Sequence, residues 1–466
     1  MPFLLFLERG NTMKSELQAK LDLYVKEYHD NQSEWFIEET ETVANQQRVL
    51  DVENMKEYLN GNHAITQRPN EMYNGKEFVP RKIILQYAKT LLNFQTAYLL
   101  QNPITLTGNE KVVKEYQNVN KKGKYDRINT KILDKVNKYG LCAEYVYLDK
   151  GVIKSKLIDP STSFPIYDHE NTLIAFIEGY INQAVSYYTV FTDEVVYKYD
   201  NNGGELRLAG QYPNLSGLPI VYHNQNELSD TEGRSDLLDY ISILDSMEDL
   251  LSKYTDGFYK FMNPIPVAIG QQLKGDGLPV QVVGGGITLD DGSDFKLVSN
   301  GLDYKSFETI YKTLLQSLLD VSQTPAVSMN KTDISNLSEV SIKLLFSLAN
   351  IKAGMNEQFM RDGIEQRFEK IRKLMEYRGV SFSDMEFESL DVVFQYAMPS
   401  NDKEIIENLK VLRELSGISL ESLLEHSPFT KDVQMEMKRL DGEGNVKDKK
   451  KLATRKKKEQ DDKAVS

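Results

Sequence analysis

Between residues 235 and 378 the apolar positions set the organisation of the chain. Leu237, Leu244, Leu251 and Phe258 recur every seven residues, and so do Tyr240, Met247, Tyr254 and Phe261. That spacing lays one continuous seam down a helix over about 235–262. Tyr304, Tyr311 and Leu318, with Phe307, Leu314 and Val321, repeat the device over about 303–323. Asn263-Pro264-Ile265-Pro266 stops the first helix and Thr324-Pro325 the second, because proline cannot continue the ladder of backbone hydrogen bonds. The pair is expected to lie antiparallel about a small insert. Pattern alone leaves two readings: a hairpin in an ordinary core, or one whose seam is shared with other subunits.

The rest of the chain follows the same logic. Residues 11–60 read as charged helices, with Leu17, Leu21, Tyr24 and Tyr28 at helical spacing. A polar loop over 61–78 leads to Val79-Pro80-Arg81, a proline near the start of a helix that stops at Asn102-Pro103. A short strand at 104–108 and one helix over about 110–140 follow. From Leu141 the period becomes two. Strands are expected at 143–148, 152–158, 173–181, 185–192, 195–199 and 218–222, in a mainly antiparallel sheet with hairpin turns. The glycine-rich insert holds short strands at 267–269, 280–283, 287–289 and 295–298, and is too small to bury a core of its own. Asn336 with Glu339 reads as a capping box. The helix it opens runs toward Arg378, about 40 residues or ~60 Å, with bends expected at Gly354 and Gly363 and a cap at Gly379. A strand at 392–395, a helix from Ser400-Asn401-Asp402 to about Leu415, and a turn into 420–425 complete the ordered part. Residues 441–466 form a charged low-complexity tail with a local basic bias, expected to be disordered.

At 466 residues the chain exceeds one compact core, and roughly two to four domains are expected. Hydrophobic content of 40% and charged content of 27% suit a folded soluble protein. The lone Cys142 excludes a disulfide framework and reads as a small core residue. A net charge of −13 argues against a protein that coats DNA, which needs cationic patches to release counterions. It leaves open a protein past which DNA moves without sticking. No run approaches the ~20 apolar residues of a membrane span, so no membrane is expected. Phe3-Leu4-Leu5-Phe6-Leu7 lacks the flanks of a signal peptide and reads as a packing or partner-binding arm.

Catalytic signatures are near-misses. Gly270 and Gly275 have phosphate-loop spacing, but Asp276-Gly277 stands where lysine and a hydroxyl residue belong. His169-Glu170 lacks the second histidine of a zinc-protease helix and reads as a turn. The run from Asp290 to Asp294 lacks the length and closing glutamate of an EF-hand. No cofactor, metal or enzymatic activity is expected.

Five stretches, in order, carry a resemblance. They are Thr96-Ala97-Tyr98-Leu99-Leu100-Gln101-Asn102-Pro103, Gly233-Arg234-Ser235-Asp236, and Asp320-Val321-Ser322-Gln323-Thr324-Pro325. Ser338-Glu339-Val340-Ser341-Ile342-Lys343-Leu344 and Gly417-Ile418-Ser419-Leu420-Glu421-Ser422-Leu423-Leu424 follow. Over about residues 75–439 their order and spacing resemble the portal proteins of long-tailed bacteriophages of Gram-positive hosts. The family often has glycine and alanine early in the long helix, where this chain has Glu339-Val340-Ser341. The resemblance implies an α+β, portal-like fold. Its parts would be an α/β wing with an antiparallel sheet (1–233), stem helices (234–262 and 303–325) and a small β-rich clip (263–302). A tunnel loop (326–335), a long bent helix returning to the wing (336–399), a helical crown (400–440) and the tail (441–466) would follow.

The same resemblance implies a cyclic homo-oligomer, usually a dodecamer, at the capsid vertex. Double-stranded DNA would pass through it in packaging and ejection. The terminase large subunit, the head-completion or tail adaptor protein, and the major capsid and scaffold proteins would be its partners. The protein would belong to the virion, and to the host cytoplasm during assembly. Met329, Asn330, Lys331, Thr332 and Asp333 would line the channel, with Lys331 touching phosphates. Gln271, Lys274, Asp276, Asp290 and Asp291 would bind partners at the clip. Leu237, Tyr240, Leu244, Met247, Leu251, Tyr254 and Phe258 would join Tyr304, Phe307, Tyr311, Leu314 and Leu318 in the subunit interface. A non-channel assembly or scaffold protein is one competing reading; a metal-dependent nucleic-acid-processing enzyme is another.

Overall fold

Residues 15–60 form three helices, as their spacing predicts: α1 (Glu16–His29), α2 (Trp35–Glu41) and α3 (Val43–Asn60). Ser15 caps α1 and Thr42 caps α3, each accepting a first-turn N–H. The computed structural model describes residues 15–73, 76–261, 265–269, 292, 294–298, 303–326, 338–399, 401–430, 433 and 435–442. They fall in two compact units, one drawn from residues 1–325 and 348–397, the other from 326–347 and 398–466.

His29 ties α1 to α2, its two ring nitrogens 2.8 Å from Glu38 and 2.8 Å from Glu39. Burial opposes a charge there, but the two carboxylates outweigh it and hold the imidazole above its ordinary pKa. A raised folded pKa means that this contact stabilises fully below about pH 6.5 and fades as pH rises through the folded value. His29→Gln is therefore expected to lower Tm clearly at pH 5.5 and hardly at pH 9, as thermal melts at both pH values will read.

Three expectations are corrected in this unit. The loop over 61–78 contains a hairpin, β1 (Glu71–Tyr73) on β2 (Lys76–Phe78); Asn74-Gly75 between them is the dipeptide that favours such turns. Pro80 does not start the next helix, since α4 spans Tyr87–Leu100 and the chain before it is extended. After β3 (Thr105–Thr107), residues 110–140 break into α5 (Glu110–Gly123) and α6 (Tyr125–Tyr139), with Lys124 left-handed at φ 57° between them.

The period-two stretch forms two antiparallel sheets. β4 (Leu141–Asp149), β5 (Val152–Ile158), β6 (Ser163–Tyr167), β7 (Leu173–Asn182), β8 (Val185–Phe191), β9 (Val195–Asp200), β10 (Arg207–Pro213) and β11 (Ile220–His223) pair in the orders β10-β9-β8-β7-β6 and β11-β4-β5. β6 and β10, the two edges of the larger sheet, escape the sequence reading. Pro165 sits in one, where an absent N–H is tolerated; the other is mostly exposed and kinked near Gly210. Helices α1 and α2 cover one face of the larger sheet, with Leu21, Trp35 and Phe36 on Phe164, Ile177 and Val190. Its other face meets the smaller sheet through Phe176, Phe191 and Val196 against Ala143, Tyr145 and Ile158. Cys142 is buried in β4, and burial pushes its thiol up to about 12.

Next come α7 (Ile241–Phe261), β12 (Ile265–Ile269), β13 (Asp294–Val298), α8 (Tyr304–Val321), α9 (Glu339–Leu345), α10 (Ser347–Tyr377), α11 (Asp384–Glu388), β14 (Asp391–Val393), α12 (Asp402–Glu414) and α13 (Leu420–Glu425). The expected long helix is two helices, with the break at Phe346 rather than at Gly354 or Gly363. Gly363 serves close packing instead: a Cβ there would overlap the ring of Tyr222. That contact lets α10 press Arg367 into the core, 2% exposed. Arg367 donates from Nε to Glu144 at 2.9 Å, from one terminal nitrogen to Asn129 at 2.6 Å, and from the other to the Tyr222 hydroxyl at 2.9 Å. Tyr222 in turn donates to Glu144 at 2.7 Å. One guanidinium thus joins α10, α6, β4 and β11. The strand expected at 392–395 is β14, paired with β3.

In the second unit the described cap of α9 is Ser338, which accepts from Ser341 N–H; Asn336 lies outside the described residues. The N-termini of α9 and α12 exchange carboxylates. Glu339 N–H donates to Glu404 at 2.9 Å, and Asn401 N–H donates to Glu339 at 3.1 Å. Each glutamate so meets the positive end of the other helix.

Candidate functional site: a helical hairpin on a buried polar ladder

The hairpin starts later than its periodicity suggests. Ser235 caps a single 3-10 turn, Asp236–Asp239, and the α-helix begins only at Ile241. The turn is held from several sides. Gly140, left-handed at φ 87°, and Gly233 cross so closely that a Cβ on either would strike the other's backbone. The Ser235 hydroxyl donates to Lys138 C=O at 2.6 Å. Asp236 accepts from Asn224 at 2.5 Å and from the Lys352 ammonium at 2.8 Å. Burial pushes the Asp236 carboxyl up despite that ammonium.

The seam divides along its length. Leu237, Tyr240, Leu244, Met247 and Leu318 are at most 1% exposed within the protomer. These five are corrected from subunit contacts to core, because the protomer's own elements already enclose that end of the hairpin. Leu251, Tyr254, Phe307, Tyr311 and Leu314 are half-buried. Phe258 is 53% and Tyr304 61% exposed. Tyr254 and Phe307 stack across the hairpin with centroids 3.9 Å apart, and the Tyr311 hydroxyl lies 3.3 Å from that of Tyr87. Beyond the helix ends, β12 pairs antiparallel with β13, Ile265 opposite Val298.

The opposite side of α7 is polar and buried, which the seam did not foretell. Glu248, Ser252 and Asp256 are at most 2% exposed. They stand four residues apart and so line one stripe of the helix. The extended segment before α4 runs along them, antiparallel. Leu85 N–H donates to Glu248 at 2.7 Å, Ile83 N–H to Ser252 Oγ at 3.0 Å, and Arg81 N–H to Asp256 at 2.9 Å. Alternate residues of an extended chain point the same way, so its N–H groups match a helix read in steps of four. His63 Nδ1 sits 2.7 Å from Glu248, Tyr58 stacks on His63 with centroids 3.8 Å apart, and Arg68 donates to Asp256 at 2.9 Å. Burial pushes the Glu248 carboxyl up. This ladder explains why Pro80 is not followed by helix: the N–H groups of 81, 83 and 85 serve α7. Three polar residues at i, i+4, i+8 opposite an apolar seam are the signal for it in the sequence. Ser252→Ala leaves the Ile83 N–H without a partner and is expected to cost about 1–3 kcal/mol, measurable as a drop in urea midpoint.

The clip residues Gln271, Lys274, Asp276, Asp290 and Asp291 lie outside the described residues, as do the strands expected at 280–283 and 287–289. The tunnel-loop residues Met329, Asn330, Lys331, Thr332 and Asp333 do so too. Among the described residues no group of three or more metal-binding side chains converges, and no helix is long and apolar enough to cross a membrane.

The model of a family described as phage portal protein, SPP1 Gp6-like, matches residues 41–450. The chain belongs to that family. It is a mixed α/β protein with the function of a portal at the capsid vertex, and so a component of the virion. The portal protein of Bacillus phage SPP1 is 24% identical over 389 residues, which cover 77% of this chain and 75% of that protein. Among solved structures, the neck of an empty GTA particle with C6 symmetry is similar at a TM-score of 0.46 and 8% identity. It covers 72% of this chain and 87% of the other. The neck of a native GTA particle with C12 symmetry gives a TM-score of 0.43 at 8% identity, covering 72% and 89%.

Proposed function

We propose that this portal protein assembles into a cyclic homo-oligomer, a dodecamer, that carries double-stranded DNA through its centre in packaging and ejection. The observation that carries the reading is the exposed aromatic end of the hairpin. Phe258 and Tyr304 are more than half exposed beside the stacked Tyr254 and Phe307. A protomer alone leaves this surface wet, and burial of large aromatics is the strongest term in most protein contacts. Neighbouring hairpins close it by forming the stem wall, through Leu251, Tyr254, Phe258, Tyr304, Phe307, Tyr311 and Leu314.

The other parts follow. Residues 1–233 form the wing, 263–302 the clip, 326–335 the tunnel loop, 336–399 the long helices and return, 400–440 the crown and 441–466 its charged tail. The clip, through Gln271, Lys274, Asp276, Asp290 and Asp291, docks the terminase large subunit and later the tail adaptor. In the tunnel loop Lys331 makes transient phosphate contacts, flanked by Met329, Asn330, Thr332 and Asp333. The net charge of −13 keeps DNA from adhering to the wall. The ring itself has no catalytic role; the motor supplies ATP hydrolysis. Assembly takes place in the host cytoplasm with capsid and scaffold proteins.

Negative-stain electron microscopy of the purified protein tests this. Rings with a central hole of duplex width, about 20 Å, are expected. Filaments or closed dimers without a hole would sink the channel reading and favour a scaffold role.

A further inference from the structure

The apolar run Phe3-Leu4-Leu5-Phe6-Leu7 has no role of its own within the wing in the portal reading, yet the fold holds a site that suits it. Beyond their shared core the two sheets splay apart and leave a cleft of about 620 Å³. Tyr145 and Tyr147 wall one side, Tyr187 and Thr189 the other, with Tyr212 and Leu215 at one margin. The charged groups along it are already engaged, Asp200 with Arg207 at 2.9 Å among them. Lys156 pairs with Glu178 at 2.6 Å, and Lys198 stands over the Tyr212 ring at 5.2 Å. What remains open is aromatic surface, which gains roughly 25 cal/mol per Å² when covered by apolar atoms.

The chain comes into the described fold at one end of this cleft. Ser15 N–H donates to the Glu194 carboxylate at 2.9 Å. Glu194 lies in the turn between β8 and β9, and its carbonyl accepts from Asn214 N–H at 2.7 Å. Pro213 and Leu215, on either side of Asn214, line the cleft. In the first turn of α1, Leu17 packs on the cluster that holds Tyr145 and Phe191, and both of those also line the cleft. Leu7 stands eight chain steps before Ser15, a reach of up to ~26 Å. Five extended residues cover ~17 Å, about the run of β8 from Tyr187 to Phe191.

We propose that the segment 3–7 of the same chain fills this cleft, setting Phe3, Leu5 and Leu7 against one wall and Leu4 and Phe6 against the other. The proposal is independent of the portal reading and concerns the protomer itself. The lone Cys142 is buried, with its thiol pushed up to about 12, so introduced cysteines report cleanly. In the full-length protein, Leu5→Cys combined with Leu215→Cys is to be oxidised mildly and run on non-reducing gels. Leu215 is 40% exposed and tolerates the change; Thr189→Cys provides a second partner site. Leu5→Cys with Val43→Cys is the control, since Val43 starts α3 beside the helix-covered face and is 87% exposed. The expected result is a cross-link within one chain, at least tenfold above the control, for both partner sites. Cross-links no stronger than the control would overturn the proposal. A ladder of dimers in place of the altered monomer would overturn docking within the same chain.

Discussion

Arg367→Met is expected to lower the stability of the protomer by about 3–5 kcal/mol, a large fraction of the ~5–15 kcal/mol that holds a domain together. The reason is the Glu144 carboxylate. It is fully buried, and the guanidinium 2.9 Å away is its countercharge. Removing the cation also takes donors from Asn129 and the Tyr222 hydroxyl. Burial alone would lower the pKa of Arg367, but Glu144 reverses that and keeps the arginine charged. Urea melts of the unassembled protomer will read the loss. Combining Arg367→Met with Glu144→Leu is expected to recover most of it, because an apolar pair costs no charge burial. Equal losses in the single and double variants would show that packing, not charge, governs the site.

Phe258→Glu with Tyr304→Glu is expected to abolish ring assembly while leaving the protomer folded. Both side chains are more than half exposed, so the protomer loses little. At a subunit contact each aromatic anchor is worth about 2 kcal/mol or more, roughly thirtyfold in dissociation constant, and the loss recurs at every interface of the ring. Light scattering on a sizing column will separate rings from protomers, and thermal melts will show that the protomer survives. Leu244→Glu is expected to behave oppositely and unfold the protomer, since Leu244 is fully buried within it. Rings that persist in the double glutamate variant would remove Phe258 and Tyr304 from the interface.

The contrast between Leu244 and Phe258 shows how far the sequence could be read. Heptad spacing marks the side of a helix that needs cover; it does not say what covers it. Both residues share one register, yet one is enclosed by its own chain and the other is left 53% exposed. Local signals were legible: the Asp303 cap of α8, the Gly379 stop of α10, and the alternation of β7 and β8 each depend on a few neighbouring residues. Strands β6 and β10 were not, because one is interrupted by Pro165 and buries neighbouring residues on both faces while the other is almost wholly exposed, so neither shows the alternation that a single buried face imposes. The partners of Arg367 and the ladder on Glu248, Ser252 and Asp256 were also hidden. The i, i+4, i+8 spacing on α7 marks a polar stripe but not what covers it, and the partners of these buried groups lie from about 145 to 238 residues away.

That ladder also fixes position. Two residues of extended chain advance about 6.6 Å, while four residues of helix advance about 6.0 Å, so the rungs drift by ~0.6 Å per step. Side chains of different length, Glu248, Ser252 and Asp256, absorb the drift across these rungs at 2.7, 3.0 and 2.9 Å. The two scales act as a vernier and agree in one setting. Sliding α7 by a single turn would set serine where glutamate reaches and break every rung together. The hairpin is therefore indexed along its axis, and any tilt or turn it makes carries the strap at 80–86 with it as one piece.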